Sequence, residues 1–533
     1  MRKASNTLKR IVALVAAFAM ALALVPTAAL ADATTQHTIT INEPTGNVDT
    51  HSYEAYQVFA GTYNSTTKQL EGITWGAGVN GDALLTALKA DATIGSKFAS
   101  ATDAPTAAAA MSGLKATETE ALAKVIAANL SSTKAATGKS PLTVTGDGYY
   151  FVKDVSEKLT SDTYSKYILQ VCDDVEITAK DTTTTSQKKV KDTNDSATEN
   201  ATSGWQDSAD YDIGDMVPFQ LTGTVASDYA DYASPYYFAF HDTHNKTQLS
   251  DPTSVTVKID GTEVTTGYEL KTTDAGFDVV FADLKQTAAH AGSVITVEYE
   301  SQLLSGAQIG AKGNINGSNI EFSNDSNNEQ HHGTTPEDTV IVFTYTVNVN
   351  KYAEKVADGN KLAGAGFTLY KKYADTTKVP AGKTADSDGW VAVQEIAAGE
   401  NTTFEFKGID DGEYKLVETT TPTGYNTIDP IVFTVTGTHT VNFESGQVNE
   451  NGKVGDAYVL TDLTATSDQA SFSANKTDGA LDGTLTTDVV NKSGSTLPST
   501  GGMGVLPFVL VGCGIAVAAG IGLHVARSRR EDA

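Results

Sequence analysis

Val294-Ile295-Thr296-Val297-Glu298-Tyr299 is a short run rich in β-branched and aromatic residues, bounded by glycine and polar residues. Such side chains suit a pleated, half-buried surface, so the run predicts a strand. Val255-Thr256-Val257-Lys258-Ile259 and Ile431-Val432-Phe433-Thr434-Val435 repeat the pattern. Turns rich in Gly, Asn and Asp separate runs of this kind along most of the chain. Many short strands at that spacing predict a mainly β protein built of sandwiches.

Helical patterns are confined to the first third. One short helix is predicted over Asp82–Ala90. A second follows Thr117 and Glu120, which have capping-box spacing, with Leu122, Val125, Ile126 and Leu130 on one face. These helices read as structural insertions in a β domain. Two linker-like stretches, Thr182-Thr183-Thr184-Thr185-Ser186 and His331-His332-Gly333-Thr334-Thr335-Pro336, divide the rest. The expected organisation is 1–31 as a leader, domains at 32–182, 183–335 and 338–493, and a terminal segment at 494–533. The paired histidines have no further ligands beside them and read as a solvated loop, and nothing calls for a metal or cofactor.

The chain has 533 residues and a formal charge of −27, which argues against a nucleic-acid partner. Only two cysteines occur, Cys172 and Cys513. Cys513 lies in an apolar terminal run, so the exported region has a single thiol and no internal disulfide. Cys172 reads as a buried strand residue, because no Cys-His arrangement is evident near it.

The two ends specify export. Arg2, Lys3, Lys9 and Arg10 precede an apolar run from Ile11 to Val25, and Pro26 and Ala29-Leu30-Ala31 follow. This is the build of a secretory signal peptide, with the mature chain beginning near Asp32. At the other end stand Leu497-Pro498-Ser499-Thr500-Gly501, an apolar run from Val505 to Val525, and Arg527, Arg529 and Arg530. The run has the length of a membrane-spanning helix, and the arginines suit a cytoplasmic tail. The three parts together resemble the LPXTG cell-wall sorting signal. That resemblance implies a sortase that cleaves after Thr500 and passes its carbonyl to an amine; the alternative is an ordinary tail-anchored protein.

In the third domain Val347, Val349 and Lys351 alternate along one strand and so share a face. A lysine closing a buried stripe requires an explanation, since a buried ammonium is costly. Tyr414, Leu416 and Glu418 share a face in Glu413-Tyr414-Lys415-Leu416-Val417-Glu418-Thr419-Thr420-Thr421-Pro422, and Val489-Val490-Asn491 closes the domain. The segment Lys361–Tyr370 and the Glu418 segment resemble the collagen-adhesin (Cna) B-type domains of Gram-positive pilins, an immunoglobulin-like sandwich. The Glu418 segment is similar to that family's E-box. The resemblance implies an isopeptide bond between Lys351 and Asn491 promoted by Glu418. The chemistry is sound: burial lowers the lysine pKa and exposes a neutral amine, while a buried carboxyl stays protonated and moves protons. A Lys-Glu ion pair beside an ordinary asparagine is the alternative.

The middle domain repeats the plan. Lys188 is in phase with Val190 and is the inward candidate, with Lys189 as the fallback. Phe238-Ala239-Phe240-His241-Asp242 and Ile320-Glu321-Phe322-Ser323-Asn324 resemble the strands of pilin middle domains that carry the acid and the acceptor. This implies a Lys188–Asn324 bond with Asp242 as the acid; Asp242 capping a turn is the alternative. In the first domain Gly148-Tyr149-Tyr150-Phe151-Val152-Lys153-Asp154 is similar to an E-box but lacks the glutamate in phase, so no crosslink is expected there.

Backbone pilins carry a lysine that receives the sorting threonine of the next subunit. The matching strand, Val175-Glu176-Ile177-Thr178-Ala179-Lys180, nominates Lys180, although Thr178-Ala179 departs from the family's Tyr-Pro. The resemblance implies a shaft subunit of a sortase-assembled pilus supporting adhesion. Its partners would be pilus and housekeeping sortases, identical subunits head to tail, tip and base pilins, peptidoglycan and host surface ligands. The alternative is a monomeric wall-anchored adhesin of the same domain type. A secreted hydrolase would need paired carboxylates or a Ser-His-Asp set, and no convincing one is apparent.

Overall fold

The computed structural model describes residues 35–494 except 43–49, 112, 116–117, 157–165, 172, 179–183, 199–200, 327–328 and 444–446. The expected leader, Cys172, Lys180 and the whole terminal segment from Leu497 to the arginines lie outside the described residues. No described helix is long and apolar enough to cross a membrane. Strands dominate, as the β-branched runs require, and the chain is mainly β.

The contacts group the chain into two units. Among the described residues, one holds 35–193, 202–344 and 439–461; the other holds 194–201, 345–438 and 462–494. The first unit contains the first two expected domains apart from 194–201.

The amino-terminal part of the first unit has a sheet ordered Gln69–Trp75, Tyr53–Asn64, Gly148–Asp154, Lys166–Val171. Helices Gly81–Ala90, Gly95–Phe98, Ala104–Met111 and Thr119–Ala127 are inserted between Gln69–Trp75 and Gly148–Asp154. Leu84, Leu88, Ala107, Met111, Leu122 and Ile126 join Phe59 and Phe151 in one core. The last helix starts at Thr119 with Glu118 at its N-cap and no side-chain cap bond there, and Thr117 of the expected capping box lies outside the described residues. Helix Ala104–Met111 escaped the helical reading. Its start is marked by Asp103, whose Oδ1 accepts the Thr106 amide at 3.1 Å.

The middle part is a sandwich. One sheet runs Thr262–Val264, Thr253–Ile259, Val294–Gln302, Met216–Thr224, Thr185–Val190. The facing sheet runs Ser208–Asp210, Asp338–Phe343, Asn314–Ser323, Phe238–His244, Gly276–Phe281, Glu269–Thr272. Phe219, Leu221, Val297 and Tyr299 of the first meet Phe238, Phe240, Ile320 and Phe322 of the second in one core.

Three expectations change. Asp338–Phe343 pairs with both Ser208–Asp210 and Asn314–Ser323, so it belongs to the middle sandwich and the boundary falls after Thr344. Thr185 and Ser186 open a strand rather than a linker. His332 is not in a solvated loop: His332–Thr334 pairs with Glu321–Ser323, and the His332 ring stacks on Tyr237 at 4.5 Å.

The second unit is also a two-sheet sandwich. One sheet is ordered Thr403–Ile409, Tyr345–Ala353, Ala480–Asn491, Phe472–Thr477. The other is ordered Trp390–Ile396, Gly366–Lys372, Gly412–Thr420, Ile431–His439, Leu460–Thr466. Tyr345–Ala353 and Ala480–Asn491 are the first and last strands of the unit, and they lie parallel and adjacent.

Candidate functional site

In the second unit the burial pattern of Tyr345–Ala353 turns Val347, Val349 and Lys351 inward, as the alternation predicts. The parallel register pairs Lys351 with Val489 and Ala353 with Asn491, which brings the end of the last strand beside the lysine. Glu418 reaches the same point from the opposite sheet. Lys351 and Asn491 have no exposed surface, and Glu418 is 5 % exposed.

Lys351 Nζ contacts Asn491 Oδ1 directly and lies 3.2 Å from Glu418 Oε1. Asn491 Nδ2 donates to Glu418 Oε1 at 2.9 Å and Oε2 at 3.1 Å. The Ile428 amide, at 3.1 Å from Oε2, holds the carboxyl in place. The lysine also sits over the Phe367 ring at 5.5 Å. Burial lowers its pKa, opposed by Glu418. The carboxyl thus faces the nitrogen of the amide, and a half-turn about Cβ–Cγ would present the oxygen to it instead.

In the middle sandwich Lys188 points inward with no exposed surface, while Lys189 pairs with Asp207 at 2.5 Å on the other face. Lys188 Nζ contacts Asp242 Oδ2 directly and donates to Tyr299 Oη at 3.0 Å. Tyr299 donates its own proton to Asp242 Oδ2 at 2.5 Å. His244 Nδ1 lies 2.9 Å from Asp242 Oδ1. Asp242 is thus not a turn cap but the centre of a buried cluster. Burial pulls the Lys188 amine below its usual pKa and pushes Tyr299 well above its own. Burial also raises Asp242, but the charge of Lys188 and the bond to His244 outweigh it, and the carboxyl lies below its ordinary value. The acid expected to be protonated at rest is therefore paired, and a single transfer from ammonium to carboxylate yields the amine and the acid together.

Asn324 is not in this cluster. The register sets Phe238 opposite Phe322 and Asp242 opposite Ser318. Asn324 is six positions beyond Ser318, about 20 Å along the strand. Asn316 stands there instead, opposite His244 and diagonal to Asp242 on the same face. It is fully buried, and its Nδ2 donates to Tyr299 Oη at 2.9 Å, the same oxygen that Lys188 touches. Its Oδ1 has no hydrogen-bond partner among the described residues. The face assignment was legible, since Asn316, Ile320 and Asn324 share parity; the position along the strand was not.

In the amino-terminal part, Glu54 collects Tyr56 at 2.5 Å and Lys153 at 3.5 Å, with Lys134 in direct contact. Both lysines keep substantial solvent exposure, unlike Lys188 and Lys351.

One Ser-His-Asp alignment does occur: Ser208 Oγ is 2.7 Å from His439 Nδ1, and His439 Nε2 is 3.7 Å from Asp192 Oδ2. Ser208 has no exposed surface and also lies 2.7 Å from the Thr440 carbonyl. A carbonyl can only accept, so the hydroxyl donates there and the imidazole donates Nδ1–H to the serine. That tautomer cannot take the serine's proton, and the arrangement pins residues 439–440 to the sheet edge.

Residues 345–447 match the SpaA family, described as a prealbumin-like fold domain. No curated protein sequence matches the chain. Among solved structures, the chain is similar to the T6 backbone pilin of serotype M6 Streptococcus pyogenes, at 17 % identity and a TM-score of 0.49, covering 86 % of this chain and 98 % of that one. It is also similar to the major pilin SpaD of Corynebacterium diphtheriae, at 15 % identity, a TM-score of 0.46 and the same two coverages. The major pilin SpaA of that organism follows at 15 % and 0.43, covering 86 % of this chain and 100 % of that one.

Proposed function

We propose that this chain, which carries a SpaA-type prealbumin-like domain at residues 345–447, is the repeating shaft subunit of a covalent, sortase-assembled surface fibre whose domains crosslink themselves. The observation that carries the reading is the buried meeting of Lys351, Glu418 and Asn491 at the junction of the first and last strands. An ion pair alone is a poor reason to bury a lysine, because desolvation offsets most of its attraction.

In the proposed reaction the neutral Lys351 amine attacks Asn491 Cγ. One amine proton passes through Glu418 to Nδ2, which the carboxyl already faces, and ammonia departs. An amide joins Nζ to Cγ. Fixed proximity stands in for an external enzyme. The middle sandwich would run the same reaction with Lys188, Asp242 and Asn316, Tyr299 orienting the three. Export by a signal peptide, cleavage after Thr500 and transfer to Lys180 of the next subunit complete the reading. A transfer of that kind does not close on itself and yields a fibre.

Intact mass of the purified 32–493 ectodomain tests the chemistry. Two lost ammonia molecules are expected, and Glu418→Ala and Asp242→Ala should each restore one; the full unmodified mass would overturn self-crosslinking. Cell-wall extracts test the assembly. A detergent-resistant ladder should appear and vanish in Lys180→Ala, whereas a single band in both would favour the monomeric adhesin.

A further inference from the structure

A third lysine is buried as completely as the two already described. Lys371 lies in strand Gly366–Lys372, has no exposed surface, and is in register with Tyr414. Its Nζ is 2.6 Å from Asp410 Oδ1 and 2.8 Å from Asp195 Oδ2. Tyr414 donates to Asp410 Oδ1 at 3.0 Å. Lysine, aspartate and a tyrosine hydroxyl on that aspartate are the grouping of Lys188, Asp242 and Tyr299. Aromatic rings flank both amines: Phe219 and Tyr299 at Lys188, Tyr373 and Tyr414 at Lys371. In the middle sandwich the remaining partner is an asparagine. Here it is the carboxyl of Asp195.

Asp195 is held firmly. It belongs to the 194–201 segment, which is grouped with this unit although 150 residues separate it from Tyr345 (345 − 195). The Ala374 amide donates to the Asp195 carbonyl at 2.8 Å. Ser196 Oγ donates to the Lys372 carbonyl at 2.8 Å and accepts the Glu413 amide at 2.8 Å. Asn194 Nδ2 donates to Asp411 at 2.7 Å. Gly412, at φ +144°, lets the segment approach: a Cβ there would stand 2.9 Å from Ser196 Oγ and 3.5 Å from Lys371 Cε. Packing thus holds the amine and that carboxyl in contact, which supplies the proximity an effectively unimolecular reaction needs.

We propose that Lys371 and Asp195 form a third intramolecular amide, with Asp410 moving the proton. The neutral amine attacks the carbon of the protonated Asp195 carboxyl. Asp410 takes a proton from the amine nitrogen and returns it to the departing hydroxyl, so one water leaves and no oxidant or co-reactant is needed. The product ties the 194–201 segment covalently to the strand it lies on. The inference extends the self-crosslinking reading to a new residue set and a different leaving group, and the leaving group keeps the two separable.

The test is accurate mass plus proteolytic mapping of the ectodomain. One water should be lost beyond the ammonia losses, and fragmentation should find the Lys371 peptide joined to the Asp195 peptide. Asp195→Asn should exchange the water loss for an ammonia loss at the same linkage. Asp410→Asn should leave both peptides separate while the ectodomain retains its circular dichroism. Separate, unmodified peptides from the wild-type protein would overturn the proposal, leaving an ion pair. So would a water loss confined to an unlinked peptide, as succinimide formation gives. Missing ammonia losses with the water loss present would instead count against the Asn-based bonds alone.

Discussion

Lys188, Lys351 and Lys371 have no exposed surface, and the side chain touching each amine decides what it can become. Near Lys351 and Lys188 stand a carboxamide, the electrophile of the proposed reaction, and a carboxyl with no exposed side-chain surface, its proposed proton carrier. The position of Asn316 yields a sharp prediction. Asn316→Ala should abolish the middle-domain ammonia loss, and Asn324→Ala should preserve it; peptide mapping reads both. His439 gives a pH prediction of different origin. Burial lowers its pKa to about 4. A histidine neutral when folded and ordinary when unfolded adds stability that is complete above the unfolded pKa, about 6.5, and is lost as pH falls towards 4. The loss should reach about 3 kcal/mol for the first unit. His439→Gln, which keeps a donor for Ser208, should flatten melting temperature against pH between those limits.

At the scale of the elements, each sandwich brings its first strand to the last part of its chain. Tyr345–Ala353 lies parallel to Ala480–Asn491, and Thr185–Val190 faces Asn314–Ser323 across the core. An amide at Lys351 would close a loop of 140 residues. By the chain-entropy argument used for disulfides, such a closure stabilises the fold by roughly 5 kcal/mol through the unfolded state. Glu418→Ala should therefore lower the melting temperature of the second unit markedly, read by calorimetry, and leave the first unit's transition in place. An unchanged transition with the ammonia restored would show that the bond adds no thermodynamic stability.

For the whole molecule the consequence is mechanical. Tension applied at the chain ends enters the second unit near Tyr345 and leaves after Asn491. With the amide in place, the load passes through one covalent bond beside the entry strand, and the hydrogen-bonded sheets between carry none of it. Single-molecule pulling should then show no release of residues 351–491 in the wild-type ectodomain. In Glu418→Ala it should show an added extension of roughly 400–500 Å, the contour of about 120 residues with the Lys371–Asp195 amide closed and about 140 without it. An equal extension in both proteins would mean that the amide does not bear the load.

The local pattern of the chain determined much of this. Strand-rich composition set the mainly β class, and period-two alternation turned Lys188, Lys351 and Glu418 inward, because successive side chains on a strand must face opposite ways, while Asp242 was singled out by the resemblance of its strand. What alternation could not decide was position along a strand. Asn316 and Asn324 have the same parity, and only the antiparallel register of Phe238–His244 on Asn314–Ser323 chooses between them. Nor could it reveal that Asp338–Phe343 completes the middle sheet, or that Asp195 meets Lys371 across 176 positions. Those pairings arise from strands and segments remote in sequence, and their register is set by how two buried faces fit together.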